Sequence, residues 1–193
     1  MHCCKRPERW LRGVLAALLW LCVALAHAGS IEPKSASLTP GEDGYTLSAE
    51  FAVDLGNRLE EAVTRGVPLY FNLEFILERN RKYWVNEHIV SRNLSYRLAY
   101  SSLTRQYRLT TGSLHQNFGS LAEALRVVGR IAALPVADKD ALKNGESYEA
   151  ALRLALDRNQ LPKPFQVDAI TDKGLQVEAK VLRWQFTAPV VAQ

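Results

Sequence analysis

The chain has 193 residues, of which 48% are hydrophobic and 23% are charged, and its formal net charge is +4. Residues 1–28 hold four of the 24 Lys and Arg, one of the 20 Asp and Glu, and all three cysteines. The rest of the chain therefore has a net charge of only +1, which excludes a global attraction to nucleic acid or to an anionic membrane. Without cysteine, it also has neither disulfides nor thiolate metal ligands.

Residues 1–28 have the order of a secretory signal. Four basic residues precede an apolar run over residues 14–26, and Ala26-His27-Ala28 has small residues where signal peptidase requires them. The pattern predicts a signal helix that is cleaved after Ala28, with export of residues 29–193 to the periplasm. Because the apolar run is shorter than the roughly 20 residues of a bilayer crossing, an uncleaved signal that anchors the protein in the inner membrane is the alternative.

The first part of the exported chain predicts strands separated by a turn and a short helix. A short strand is expected around residues 35–38, and a turn follows at residues 40–44. Apolar residues then occupy every odd position over residues 45–55, which is typical of a half-buried strand. A capping-box sequence at Asn57 predicts a helix of about two turns. Alternation over residues 69–77 predicts the next strand.

The middle of the chain predicts two more strands and a second helix. Residues 94–100 and 105–111 alternate between apolar and polar side chains, which favours successive antiparallel strands. Ser120 begins a second capping-box sequence, and the apolar residues after it recur at helical spacing until Gly129. A helical turn is expected over residues 138–143.

The last part of the chain predicts strands, with one ambiguity. Residues 148–156 alternate like a strand, but their alanine content leaves a helix as the alternative. Residues 175–186 change the phase of their alternation at Leu182, which indicates a bulge. Residues 29–193 are thus predicted to form a single domain of the α+β class that is mainly β: an antiparallel sheet or a β-sandwich with two or three short helices, preceded by the N-terminal signal helix.

Four segments of the sequence resemble a known family. They are Arg79-Asn80-Arg81-Lys82-Tyr83-Trp84, Leu94-Ser95-Tyr96-Arg97, Leu103-Thr104-Arg105-Gln106-Tyr107-Arg108 and Leu161-Pro162-Lys163-Pro164. Over nearly the whole exported part, the chain resembles the secreted proteobacterial family DUF4390, a domain of unknown function. The resemblance implies a periplasmic protein whose gene lies near that of a sensor histidine kinase. Because the family has no assigned activity, the resemblance implies no catalytic residue and no cofactor.

Catalytic motifs are missing from the sequence. His88 and His115 are the two histidines of the exported part, whereas a zinc site needs three or four ligands. Gly112-Ser113 and Gly119-Ser120 lack the second glycine of a nucleophile elbow, and no phosphate-binding glycine loop is present. We therefore expect no enzymatic activity, cofactor or metal. A cofactor-free hydrolase that acts through His88 or His115 is the alternative.

Basic and aromatic residues are concentrated in residues 79–108. This window holds seven basic residues, five aromatic residues and a single acid, Glu87. Guanidinium groups beside aromatic rings can bind an anionic ligand or the acidic surface of a partner protein. The predicted binding surface comprises Arg79, Arg81, Lys82, Trp84, Arg97, Arg105 and Arg108. In the structural alternative, the acid-rich residues 42–61 pair with these cations across adjacent strands.

Together, these features favour a non-catalytic binding or accessory module in the periplasm. Its partner would be a protein in the periplasm or the inner membrane, with a membrane sensor implied by the family resemblance, or a small anionic ligand. The cofactor-free hydrolase is the alternative function.

Overall fold

The computed structural model of the protein describes residues 29–79, 81, 86–163, 165–166 and 175–189. The predicted signal helix lies outside the described residues. So do Lys82 and Trp84 of the predicted binding surface.

Strands make up most of the described part of the chain. They are β1 (Gly29–Pro40), β2 (Gly44–Asp54), β3 (Leu69–Arg79), β4 (Glu87–Ser101), β5 (Gln106–Thr111), β6 (Leu114–Phe118), β7 (Arg130–Asp138), β8 (Ser147–Leu156), β9 (Val177–Ala179) and β10 (Leu182–Thr187). The α-helices are α1 (Gly56–Thr64) and α2 (Leu121–Val128), and short 3-10 turns span Lys139–Ala141 and Arg158–Gln160. The prediction of a mainly β fold with short helices is confirmed.

The strands form two sheets. Sheet A has four strands in the order β7-β2-β1-β9, and sheet B has six strands in the order β10-β8-β3-β4-β5-β6. Within the described residues, neighbouring strands pair antiparallel, except that β1 and β9 are parallel. Buried residues of both sheets belong to one hydrophobic core. The described part of the chain therefore contains two sheets rather than one.

The alternating sequence of β3 explains its place in the middle of sheet B. Its five apolar residues at odd positions are each at most 1% exposed, and together they supply one row of the core: Leu69, Phe71, Leu73, Phe75 and Leu77. Full burial of such a side chain contributes about 1.5–3 kcal/mol. Sheet A contributes a second row from β2, whose Tyr45 ring meets the Phe186 ring of β10 edge-on at 5.7 Å.

Helix α1 begins differently from the prediction. Asn57 and Glu60 do not form its cap, because the N-cap residue is Leu55, whose side chain makes no capping hydrogen bond. Gly56 has a φ of 71°, a conformation that favours glycine, and its N–H donates to Asp54 Oδ1 at 2.9 Å. The capping-box prediction is therefore wrong for α1, although the helix is confirmed.

Helix α2 follows the prediction at both ends. The Ser120 Oγ accepts a hydrogen bond from the Glu123 N–H at 3.3 Å, as a capping box requires. The helix ends at Gly129, which is its C-cap residue. Its apolar side faces the core with Ala124, Leu125 and Val128.

The sequence does not predict β6 and β7, and β1 and β4 are longer than their predictions over residues 35–38 and 94–100. β1 has 12 residues instead of four. β6 has no alternation, because four of its five residues are exposed. β7 is irregular: its register with β2 shifts twice, Ala133 has a φ of 48°, and Pro135 has no N–H to donate. These irregularities remove the period of two on which the prediction depended.

The end of the chain also differs from the prediction. The helix alternative for residues 148–156 is wrong, because they form strand β8. The phase change at Leu182 does not mark a bulge in one strand. It marks the point where the chain passes from β9 at the edge of sheet A to β10 at the edge of sheet B, through Lys180 and Val181.

Sheet B is wider than sheet A. The edge strand β7 of sheet A lies over β4, and the Arg92 Nε donates to the Val136 carbonyl oxygen between them at 3.1 Å. Strands β5 and β6 therefore extend beyond the edge of sheet A. Helix α2 contacts β2, β5, β6 and β7, and so it covers part of this extension.

Candidate functional site

The described residues of the predicted binding surface fall into two groups on sheet B. Arg79 and Arg81 lie where β3 ends, and Arg79 pairs with Glu87 at the start of β4. Arg97 is ten residues further along β4, which is roughly 33 Å at about 3.3 Å per residue. The described residues of the predicted surface therefore lie in two groups at opposite ends of β4 and its neighbours.

The first group is an ion cluster, which we define as Arg79, Arg81, Glu87 and Glu146. Arg79 exposes 19% of its side chain, and its Nη1 lies 2.8 Å from Glu146 Oε2. Its Nε donates to Glu87 Oε2 at 2.9 Å, and its Nη2 also contacts that oxygen. Arg81 Nη2 reaches the same oxygen at 2.6 Å. Each cation of the cluster thus has a carboxylate partner within the protein.

The hydrogen bonds of the ion cluster shift the titration of its members. The hydrogen bonds that Arg79 donates to Glu146 and to Glu87 raise the pKa of Arg79 above its ordinary range. The hydrogen bond from Arg79, followed by that from Arg81, lowers the pKa of Glu87. The pKa of Glu146 is also lowered, mainly by its hydrogen bond with Arg79. Since the charged forms stabilise one another, the cluster joins β3, β4 and the segment before β8.

The second group lies at the other end of sheet B, and we call it the arginine surface: Arg97, Arg105 and Arg108. Arg97 and Arg108 lie on the side of β4 and β5 opposite to the core, because their neighbours Tyr96 and Leu109 are buried. Arg97 is paired with Thr110 of β5, and Arg108 with Ala99 of β4. The two arginines are thus diagonal neighbours on one exposed sheet face.

Two guanidinium groups of the arginine surface, those of Arg97 and Arg108, interact with uncharged partners. Arg97 Cζ lies 5.9 Å from the centroid of the Tyr70 ring, a cation–π arrangement. Arg108 Nε donates to Asn117 Oδ1 at 3.2 Å. Arg105 is exposed in the turn between β4 and β5, with a φ of 55°. Among the described residues, no carboxylate forms an ion pair with any of the three.

A network of polar side chains lies beside Arg97. Ser95 Oγ donates to Asn72 Oδ1 at 2.8 Å, and Asn72 Nδ2 donates to Asp157 Oδ2 at 3.2 Å. The Asp157 carboxylate also accepts from Gln160 Nε2 at 2.8 Å. These donors are neutral amides, so Asp157 keeps its charge, but no ion pair between described residues joins it to the arginine surface.

The structural alternative for the basic window is wrong in its proposed pairing. Most of the acids of residues 42–61 lie on β2 and α1, and β2 is flanked in sheet A by β1 and β7. The arginines lie in sheet B, so these acids are not on strands adjacent to them. The charges of the ion cluster are instead balanced by Glu87 and by Glu146, which is 67 positions from Arg79.

Neither histidine is part of a described catalytic arrangement. His88 is exposed on β4, and His115 Nδ1 lies 3.1 Å from Thr110 Oγ1 on the outer face of sheet B. No described hydrogen bond joins either ring to a serine or a carboxylate. Within the described ranges, no group of three or more His, Cys, Asp or Glu residues is placed to hold a metal ion.

Several residues around the arginine surface were not singled out from the sequence. Tyr70 and Asn117 flank Arg97 and Arg108 because of the register of β3 with β4 and of β5 with β6. Alternation on β3 does indicate that Tyr70 faces away from the core, but it does not indicate which residue of β4 is opposite. For Asn117, no periodic signal exists.

A family model confirms the family resemblance that the four sequence segments indicate. The family model described as Domain of unknown function (DUF4390) matches residues 28–185. The chain belongs to this family. Comparisons of the DUF4390 chain with curated proteins and with solved structures find no match. In the described part of the chain, no helix is long and apolar enough to cross a membrane.

Proposed function

We propose that this DUF4390 protein is a non-catalytic binding module of the periplasm, which uses the arginine surface to dock an acidic surface of a partner protein. The observation that carries the proposal is the contrast in charge pairing within one basic window. The ion cluster is balanced internally, whereas the three cations of the arginine surface have no carboxylate partner among the described residues.

The shape of the arginine surface favours a protein partner over a small ligand. Small-molecule sites are concave and bury most of their ligand. Two cavities, of about 710 and 350 Å³, lie elsewhere, and neither is lined by Arg97, Arg105 or Arg108. An exposed sheet face instead matches a second protein surface, on which complementary charge speeds association and excludes wrong partners.

The location of the partner belongs to the same proposal. The signal sequence of residues 1–28 favours export, so the partner would be in the periplasm or at the outer side of the inner membrane. A membrane sensor is the candidate that the family resemblance suggests. We also propose that the fold is a β-sandwich, which is supported by the shared core of sheets A and B. The hydrolase alternative gains no support from the surroundings of His88 or His115.

The test is crosslinking in the native periplasm, followed by mass spectrometry of the proteins recovered with the chain. The triple variant Arg97→Glu, Arg105→Glu and Arg108→Glu should lose the crosslinked partner, because reversed charges repel an acidic surface. Its melting temperature should stay close to that of the wild type, since all three side chains are exposed.

A matched control separates the arginine surface from net charge. The triple variant Lys34→Glu, Lys139→Glu and Arg158→Glu changes the charge by the same amount at three other exposed positions. It should recover the partner as the wild type does. Equal recovery by both triple variants would overturn the proposed docking surface.

A further inference from the structure

The smaller cavity is a groove on the core side of β4, β5 and β6, opposite to the arginine surface. It lies where sheet B extends beyond β7 and where α2 leaves part of the extension uncovered. Its volume is about 350 Å³, at the lower end of the range of roughly 300–1,000 Å³ for ligand sites.

The groove has a closed apolar floor and an open apolar rim. Leu109 and Ile131 form part of its floor and are 3% and 5% exposed. Leu114 and Val127 line its rim, and they are 70% and 36% exposed. A single exposed leucine is ordinary on a protein surface, but here Leu114 is continuous with an apolar floor. The groove therefore offers apolar surface that an apolar chain could remove from water.

Two polar side chains in the groove indicate which polar head group an apolar ligand would have. Arg130 is exposed and is the one cation of the lining, which contains no carboxylate. Tyr96 also lines the groove and is 7% exposed, but its hydroxyl has no hydrogen-bond partner within the described part of the chain. Since no described side-chain polar atom is both sealed and unpaired, this hydroxyl must be open to solvent. A tyrosine hydroxyl is protonated at neutral pH and can donate a hydrogen bond, and burial raises the pKa of Tyr96 further.

The strand beside the groove is poorly suited to pair with an added peptide strand. β7 is the edge of sheet A, but its register shifts twice, Ala133 has a φ of 48°, and Pro135 lacks an N–H. Irregularities of this kind prevent the pairing of an edge strand with another chain. A ligand that needs no backbone hydrogen bonds is therefore favoured over an extended peptide.

We propose that this groove binds a medium-length acyl chain that ends in one carboxylate, with the tail over Leu109 and Ile131 and the carboxylate at Arg130. The apolar floor selects the tail. Arg130 selects the head group, because it is the one cation of the lining and no described ion pair joins it to Glu50, its cross-strand neighbour on β2. The Tyr96 hydroxyl provides an additional donor. This site is independent of the proposed docking on the arginine surface, because it lies on the other side of the same strands.

The binding of the acyl tail is tested by isothermal titration calorimetry. The ligands are hexanoate, octanoate and decanoate, each below its micelle concentration. The protein is used as its host produces it. Affinity should rise by up to about fourfold for each added methylene until the groove is full. Decyltrimethylammonium should bind at least several-fold more weakly than decanoate, because Arg130 repels its head group. Equal affinity for both head groups would overturn the proposal, as would a lack of dependence on chain length.

Matched variants test the position of the site. Arg130→Gln should weaken decanoate binding about fivefold to tenfold, and Leu114→Gln should weaken it about fivefold. The controls Arg153→Gln and Leu103→Gln make the same chemical changes at exposed positions outside the lining, and they should bind like the wild type. All four positions are exposed, so melting temperatures should remain similar.

Two results would contradict the assignment of this site. The first is decanoate binding that is equal in the groove variants and in their controls. The second is an extended apolar peptide that binds to the wild type and is lost with Leu114→Gln, while decanoate does not bind. In that case the occupant would be a protein segment rather than an acyl chain.

Discussion

The ion cluster and the arginine surface come from the same 30-residue basic window, but only the arginines of the ion cluster pair with carboxylates. In the ion cluster, Arg79 reaches two carboxylates and exposes only 19% of its side chain. In the arginine surface, Arg97 lies over the Tyr70 ring and Arg108 meets an amide. A count of basic residues along the sequence therefore does not locate a binding surface. What matters is whether the fold brings a carboxylate to each cation.

The largest effect on stability is expected at the centre of the ion cluster. Arg79→Met leaves Glu87 and Glu146 without their main partner, and it should lower the melting temperature by about 5 °C. The equivalent change in the arginine surface, Arg97→Met, should lower it by no more than about 1 °C. Differential scanning calorimetry of the two variants measures the contrast. Equal decreases would show that the two groups do not differ in role.

The second contrast is in salt dependence: added salt should weaken partner binding by the arginine surface more than it weakens the ion cluster. Binding of a partner through exposed charges is screened over a Debye length of about 10 Å at 0.1 M salt. Raising the NaCl concentration from about 50 to 500 mM should therefore slow association with the crosslinked partner about tenfold or more. The melting-temperature difference between the wild type and Arg79→Met should change much less, because that pair is partly buried. Surface plasmon resonance and calorimetry supply the two measurements.

The stability from the ion cluster should depend on pH with a definite sign. Arg79 lowers the pKa of Glu87 and Glu146 in the folded protein. Their contribution is therefore complete above the ordinary carboxylate pKa and is lost as the pH falls through the lowered values. The difference in melting temperature between the wild type and Arg79→Met should be constant from pH 7 to about pH 5 and should shrink toward pH 3. A constant difference down to pH 3 contradicts this role.

The smallest effect is expected from the ring under Arg97. Tyr70→Leu keeps the apolar contact but removes the cation–π interaction, which contributes about 0.5–1 kcal/mol at an exposed site. Partner affinity should fall by about twofold to fivefold, with little change in melting temperature. A matched control is Ile76→Leu, another change to leucine on the outer side of the same strand. An unchanged affinity for Tyr70→Leu would place the docking surface away from Arg97.

The sequence predicted those parts of the fold in which side-chain burial follows the strand period. β3 is the best example, because each apolar residue from Leu69 to Leu77 faces the core. β7 was missed because its bulges break the period, and β6 was missed because it is exposed. The phase change at Leu182 was recognised, but the choice between a bulge and a change of sheet depends on contacts between distant parts of the chain.

For the candidate site, the sequence identified residue types but not their partners. Arg79 was grouped with Arg97 because they are close in sequence, although they lie at opposite ends of β4 and its neighbours. Glu146, one of the two carboxylate partners of Arg79, is 67 positions away from it. The groove at Arg130 has no sequence signal either, since it exists only because sheet B is wider than sheet A.

The parallel pairing of β1 with β9 determines when the fold can be completed. Gly29 pairs with Val177, and Lys180 Nζ lies 2.7 Å from Glu32 Oε1, although the two residues are 148 positions apart. β1 therefore gains its second neighbour only after nearly the whole chain has been synthesised, and closing so long a loop is slow. Shortened chains that end before residue 177 would leave β1 as an open edge strand, which exposes its unpaired N–H and C=O groups to other chains.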